Sequence, residues 1–357
     1  MHWPSLLSLL LLVGAGRAKR SDLPVPARFS GVLVTAKVQE LHMFGGGVAP
    51  DVSTATRNLS KPFSVIESSY VVVLSEEDLF QNAHQHAVVR TLDSKNNSEG
   101  RFSAKGQACG AIESGAFVLC YGGVVLHSYN DATSASTYVN STLGVYDTLA
   151  GNFTTPMALS GSVIPRLEYA AMAVVGNTSL LFGGFSPDIS SPDGLSNATY
   201  SITFNETIPT DPTTLNLPPP TTAVVEEING TAPTARWQHC MTPVGPDSIL
   251  LYGGNGSAAL SDTWIFSTTQ STWTELTPNI SPGARWNAAC ATTLNNTAFL
   301  FGGDDGTGGT KNDLWRFDAN GTWVNVNTTG APPTPRVYSS MTAVGSDWLV
   351  VSGMLVV

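Results

Sequence analysis

The chain is poor in charge. Only 12% of its 357 residues are Asp, Glu, Lys or Arg, and cations are the scarcer kind: 17 Lys and Arg against 27 Asp and Glu, a formal net charge of −10. Such a chain has no basic excess to neutralise phosphates, which excludes a nucleic-acid partner. Long apolar runs are also missing. Leu6–Val13 has the length of a signal-peptide core and is too short to span a bilayer. The last apolar stretch, Trp348–Val357, is ten residues and reads as a strand. No Ser-His-Asp set stands out. The glycine-rich Gly302–Gly309 lacks both EF-hand spacing and the Gly-Lys-Ser/Thr ending of a phosphate loop, so it reads as a connection that needs no ligand. Cysteine is limited to four, an even number that suits an oxidising compartment.

What is present at the N-terminus points to export. Gly16 and Ala18 are placed for cleavage after residue 18, and Lys19-Arg20 follows as a dibasic processing site, so residues 1–18 read as a signal peptide and 19–25 as a short pro-segment or linker. A chain starting at Ser21 keeps 14 Lys and Arg against 27 acids, a net charge of −13. Thirteen Asn-x-Ser/Thr sequons accompany it, at Asn58, Asn96, Asn140, Asn152, Asn177, Asn197, Asn205, Asn229, Asn255, Asn279, Asn295, Asn320 and Asn327. Together they predict a glycosylated, secreted or cell-surface protein.

The rest, 26–357, repeats. A basic residue stands 17 positions before the first glycine that ends an apolar run, Gly-Gly in five copies and Ser-Gly in the sixth: Arg28 to Gly45, Lys105 to Gly122, Arg166 to Gly183, Arg236 to Gly253, Arg285 to Gly302 and Arg336 to Gly353. Copies start 49 to 77 residues apart, so length varies after the glycines, where loops accept insertions. The fourth and fifth copies continue alike, with Asp262-Thr263-Trp264-Ile265-Phe266 matching Asp313-Leu314-Trp315-Arg316-Phe317 and Trp273 matching Trp323. The second copy weakens this to Val145-Tyr146-Asp147 and Phe153. The third carries a Pro-rich insertion, Ile208–Thr222, expected to be a surface loop. The later strands of the first copy are expected at Tyr70–Leu74 and Ala87–Leu92.

The basic residue, the double glycine and the spaced aromatics resemble the kelch repeat, the four-stranded blade of a β-propeller. The resemblance implies an all-β kelch-type propeller of six or seven four-stranded blades, with the last blade incomplete because the sixth copy stops at Val357. Closure would then need either a strand from Ser21–Val25 or chain beyond Val357, which could carry a membrane anchor or a further domain. In this reading the basic residues secure blade ends through hydrogen bonds, with an anion-binding ring as the alternative, and Trp264 and Trp315 fill gaps between blades.

The resemblance also brings the galactose-oxidase-like copper enzymes into view. The histidines His42, His84, His86, His127 and His239 match no copper motif of that group, and Cys120-Tyr121 occupies the ordinary strand position before the glycines. His84-Gln85-His86 puts two imidazoles on one strand face without an evident third ligand. No catalytic residue, cofactor or metal is therefore assigned. The cysteines pair by geometry. Cys109 and Cys120 oppose each other across a turn centred between Ser114 and Gly115. Cys240 and Cys290 stand four and five residues after their basic residues, so they point to opposite faces of successive blades and can meet. The expected function is a non-catalytic scaffold that binds a protein or glycan through propeller loops; the alternatives are an extracellular copper-radical oxidase or carbohydrate-active enzyme, and the ectodomain of a receptor.

Overall fold

In a computed structural model, the chain is described continuously over residues 158–205 and 218–318 and in most of 104–157 and 320–355. Before residue 104 only the backbone pairing of strands is described. The fold is all-β, and the described residues contain no helix. Four blades are arranged as a propeller. The first comprises Ala108–Ala111, Phe117–Tyr121, Leu143–Asp147 and Asn152–Phe153. The second has Ala171–Val175, Thr178–Phe182, Thr199–Phe204 and Thr222–Ile228. The third has Cys240–Pro243, Ser248–Tyr252, Thr263–Ser267 and Thr272–Leu276, and the fourth Ala289–Thr292, Ala298–Phe301, Leu314–Phe317 and Trp323–Asn325. A further antiparallel pair, Arg336–Val344 with Trp348–Leu355, follows. Upstream, Val32–Ala36, Glu40–Phe44, Ser69–Val73 and Val88–Leu92 pair in that order, so the two strands expected late in the first copy lie within one residue of where they were read.

Each blade runs antiparallel from an inner to an outer strand, and the inner strands of successive blades lie side by side around the axis. Inner strands are short and built from small residues, as in Ala-Cys-Gly-Ala and Ala-Cys-Ala-Thr, because they converge where space is least. Second strands are buried along all or nearly all of their length, Phe117–Tyr121 throughout and Thr178–Phe182, Ser248–Tyr252 and Ala298–Phe301 at every residue but one, since neighbouring blades cover both faces. Outer strands bury little: Thr272–Leu276 buries only Trp273 and exposes Thr272, Thr274 and Glu275. The apolar cores accordingly lie between blades. One joins Ala173, Leu180 and Phe182 to Met241, Leu251 and Trp273, and the next joins Tyr252 to Leu300, Phe317 and Trp323.

Two departures from the expected plan occur in the second blade. A fifth strand, Ala158–Gly161, pairs in parallel with Thr222–Ile228 at the outer edge and is exposed throughout. Of the Pro-rich insertion, Thr222 opens the outer strand instead of lying in the loop; residues 218–221 lead into it and 208–217 lie outside the described residues.

The glycine pairs join one blade to the next. The second glycine donates its N–H across the gap: Gly123 to Leu167 O (2.8 Å), Gly184 to Arg236 O (2.8 Å), Gly254 to Arg285 O (2.9 Å) and Gly303 to Arg336 O (3.0 Å). The first glycine lies under the same carbonyl at positive φ, and a Cβ on Gly253 would stand 2.5 Å from Arg285 O. Both the conformation and the clearance therefore demand glycine there. Gly253→Ala is expected to cost more than about 3 kcal/mol in denaturant unfolding, whereas Gly283→Ala, at similar φ but with open space, should cost only the left-handed penalty of about 1–2 kcal/mol.

Candidate functional site

Arg236 and Arg285 are fully buried and each closes its own blade. Arg236 donates to Gly253 O at 3.0 Å and to both Asp262 carboxylate oxygens at 2.6 Å. Arg285 donates to Gly302 O at 3.0 Å and to Asp313 at 2.8 and 3.0 Å. The Asp-x-Trp spacing then becomes intelligible: Trp264 and Trp315 donate their indole N–H to the same carboxylates, at 2.8 and 2.6 Å. Burial pushes the Asp262 and Asp313 carboxyls up, but the hydrogen bonds and charge of the arginines, with the indole, more than offset this and leave both below the ordinary 3.8. Arg336 is buried too and donates to Gly353 O at 3.3 Å.

The third copy differs. Strand register places Ala171, Cys240 and Ala289 opposite the residue that precedes each glycine pair, so Leu167, not Arg166, is the counterpart of Arg236 and Arg285. The same register puts Ala198 in place of Asp262 and Tyr200 in place of Trp264. Leu167 is buried, while Arg166 lies half-exposed and forms a two-pronged ion pair with Asp188. In the second copy the counterpart is Ala104, and Lys105 lies outside the described residues. The constant count of 17 thus conceals hairpin tips one residue shorter in copy three and one longer in copy two. Arg28 and Gly45 also lie outside the described residues.

Both cysteine pairs are disulfides: Cys109–Cys120 across directly paired residues of one blade, and Cys240–Cys290 between successive inner strands with Cα atoms 5.8 Å apart. The first hairpin closes at Ile112–Phe117, so its turn is wider than two residues, but its centre, and hence its register, is as expected. Trp273 and Trp323, not Trp264 and Trp315, reach across blades by hydrogen bond: their indoles donate to Thr199 (2.9 Å) and Thr263 (3.1 Å) of the preceding blades.

The residues following each arginine position, which the repeat count passed over, form the notable surface. Two positions on, the backbone is left-handed in every described copy: Gly106, Tyr169, Gln238, Asn287 and Tyr338. Their N–H groups link blade to blade, Tyr169 to Gly106 O at 2.7 Å, Gln238 to Tyr169 O at 3.0 Å and Asn287 to Gln238 O at 2.9 Å. The amides of Gln238 and Asn287 both hydrogen-bond the Tyr338 hydroxyl, whose pKa burial pushes up. One position earlier stand Trp237 and Trp286. Trp237 packs edge-on against Tyr169 at 5.4 Å and lies 6.4 Å from Trp286 and 6.3 Å from Phe185; Tyr169 lies 6.5 Å from Tyr338. These rings collar one end of the axis. One residue further in, Gln107, His239 and Ser339 line an axial cavity of about 210 Å³. The repeated Arg-Trp-Gln and Arg-Trp-Asn were the sequence signal for this collar.

His239 is buried against Phe182 and held neutral, its pKa lowered from 6.5 to about 3 by burial and then by the Arg236 charge. Cys120 is consumed in its disulfide, and the Tyr121 hydroxyl donates to the Ile164 and Pro165 carbonyls. In the glycine-rich loop Asp305 accepts from the Thr307 and Gly309 N–H groups and pairs with Lys311, so its carboxylate folds the loop on itself. Among the described residues no group of three His, Cys, Asp or Glu is arranged to hold a metal, and no helix is long and apolar enough to cross a membrane. His84, His86, Asn58, Asn96 and Asn140 lie outside the described residues. Asn177, Asn197, Asn205, Asn229, Asn279, Asn295, Asn320 and Asn327 are exposed and Asn255 half-buried.

This arrangement defines a class, the β-propeller built from kelch repeats. Residues 220–355 match the KLHDC2/KLHL20/DRC7 Kelch-repeats domain. The chain is also similar to human Kelch domain-containing protein 1, 30% identical over 179 residues (49% of this chain, 37% of that protein), and to bovine Kelch domain-containing protein 2, 27% identical over 169 residues (46% and 36%). It therefore spans little more than a third of the length of these relatives. The repeats within residues 220–355 are kelch repeats.

Arg285→Ala should destabilise the protein by about 3–5 kcal/mol, because it strands Asp313. Arg166→Ala should leave the denaturation midpoint unchanged. The pH dependence has two parts. An unfolded histidine takes up a proton below about 6.5 that buried His239 refuses down to about 3, so stability falls as pH drops through this range; the depressed Asp262 and Asp313 add a further loss below 3.8. Thermal unfolding against pH should show both stages, and His239→Gln should remove the upper one.

Proposed function

We propose that this chain is a non-catalytic binding scaffold, an exported and glycosylated kelch propeller that engages a protein or glycan partner through the loops at one end of its axis. The observation that carries the reading is the division of labour among its polar residues. The buried arginines and their half-buried aspartates are used up in closing blades and all four cysteines in disulfides, while aromatic and amide side chains gather around the axial mouth. Kelch propellers serve as protein-interaction folds, which agrees with this. Six blades are the number we favour: the sequence carries six copies, and Arg336–Val344 runs beside both Ala289–Thr292 and Val32–Ala36. The signal-peptide pattern and the exposed sequons support export and glycosylation.

A copper-radical oxidase is disfavoured because a Cys120 sulfur bound to Cys109 cannot form a thioether to tyrosine. Protein recovered from the medium of eukaryotic cells is expected to lose mass on endoglycosidase treatment and, after loading with copper, to produce no hydrogen peroxide from alcohols or sugars. Copper-dependent peroxide would overturn the scaffold reading, and retention inside the cell without glycan would overturn export.

A further inference from the structure

The loop after each glycine pair holds one residue directly opposite the position that follows the arginine or its counterpart. Glu168 faces Phe185, Trp237 faces Asn255 and Trp286 faces Asp304, each pair as an isolated antiparallel bridge. Trp237 and Asn255 exchange both main-chain bonds, at 3.0 and 2.9 Å. Residues paired in this way put their side chains on one face, with Cβ atoms about 4.5–5.5 Å apart. In the second blade the loop residue is itself aromatic, and the Phe185 ring lies 6.3 Å from Trp237. In the third blade the loop residue has no ring, and Trp237 is left half-exposed.

Asn255 is also the first residue of the sequon Asn255-Gly256-Ser257. Two other sequons have amides that the fold uses: Asn177 Nδ2 donates to Phe204 O at 2.6 Å, and Asn205 Nδ2 donates to Thr222 Oγ1 at 3.0 Å. The Asn255 amide has no partner among the described residues, although Asn255 is half-buried. Ser257 and Ala258 beside it are exposed, so the loop leaves room for a large substituent.

We propose that Asn255 carries an N-linked glycan whose first sugar lies on the Trp237 ring and caps that side of the axial mouth. This rests on the reading of the chain as exported, because export supplies the donor, an oligosaccharide on a lipid pyrophosphate. The anomeric carbon leaves its phosphate oxygen and bonds Asn255 Nδ2, which gives up one proton and keeps one N–H; the pyrophosphate departs with the lipid, and nothing is oxidised or reduced. The sequon selects the sugar and the covalent bond carries it to the ring, so the neighbouring charges of Glu168 and Asp304 do not decide occupancy. An indole offers a flat apolar face to the C–H side of a sugar ring, and covering that face removes it from water. Attachment beside the ring makes the contact intramolecular, so it needs little affinity of its own. The glycan does for the third blade what the Phe185 ring does for the second. It confines a partner to the Trp286 and Tyr338 side of the mouth.

The test uses the full chain secreted by eukaryotic cells. Enzymatic release of N-glycans converts each occupied Asn to Asp, and mass spectrometry is expected to find this change at Asn255. Hydroxyl-radical footprinting then reads solvent access residue by residue. Trp237 should be oxidised at least threefold more slowly in the glycosylated protein than in Ser257→Ala, which keeps Asn255 and loses the sequon, while Trp315, within a strand of the fourth blade, should not change. Trimming every glycan to its first sugar should preserve the protection, and complete release should abolish it; this comparison, made on the unsubstituted protein, decides the matter if Ser257→Ala is not secreted. An unmodified Asn255 beside other occupied sequons would overturn the proposal and leave export standing, whereas absence of glycan from every sequon would overturn export as well. An occupied Asn255 with Trp237 oxidised as fast as in Ser257→Ala, or protection lost at the single-sugar stage, would overturn the contact.

Discussion

The structure depends on one reciprocal backbone contact between blades. In the third blade the Arg236 N–H donates to Ser196 O and its carbonyl accepts from the Gly184 N–H, both of the blade before; Arg285 and Arg336 repeat this with Leu260 and Gly254, and with Lys311 and Gly303. The inner strand of each blade is thereby docked on the turn of its predecessor before any side chain is considered. The arginine side chain then runs back into its own blade, to the glycine carbonyl and the aspartate. One residue ties two blades together by its main chain and closes its own by its side chain. Glycine is demanded on the receiving turn because a Cβ would occupy the place of the incoming carbonyl.

That separation of roles explains how the second and third copies dispense with the ion pair. Leu167 keeps the main-chain contact, its carbonyl accepting from Gly123 at 2.8 Å, and gives up the side-chain one. Its partners change in concert: Ala198 stands where an aspartate would be stranded, and Tyr200 where a tryptophan would seek that aspartate. A buried ion pair replaced as a whole by apolar groups loses little, whereas removal of one partner is costly. The variation therefore follows the physics of burial, all members or none.

This is also where the sequence was and was not legible. Glycine pairs, apolar second strands and the register of Cys109 with Cys120 depend on local spacing, and they were read directly. Cys240 with Cys290 needed only strand parity added to the propeller. The fault lay in taking a constant count for a constant register. Arg166 and Lys105 stand 17 residues before their glycines because hairpin tips differ by one residue in opposite directions, and no count along the chain records tip length. The absent aspartate in those copies was the available warning. Trp273 and Trp323 were visible as repeated residues, but their bonds to Thr199 and Thr263 join separate blades, and no spacing within one copy reveals a partner in another.

The axial collar follows from the same constraint. Once the arginine main chain is docked, the next two residues must turn from the blade edge to the inner strand, and they do so through a left-handed residue in every described copy. The turn recurs in five successive copies and gathers Tyr169, Trp237, Trp286 and Tyr338 near the axis. Residues at these positions hold the blades by their main chain, as in the reciprocal bonds of Trp237 with Asn255 and of Trp286 with Asp304, so the identity of most of their side chains is open to other use. In the described copies they are Glu168 with Tyr169, Trp237 with Gln238, Trp286 with Asn287, Val337 with Tyr338, and Gly106. The scaffold fixes where such residues must stand, and the chemistry they carry is what distinguishes this propeller from one that merely folds.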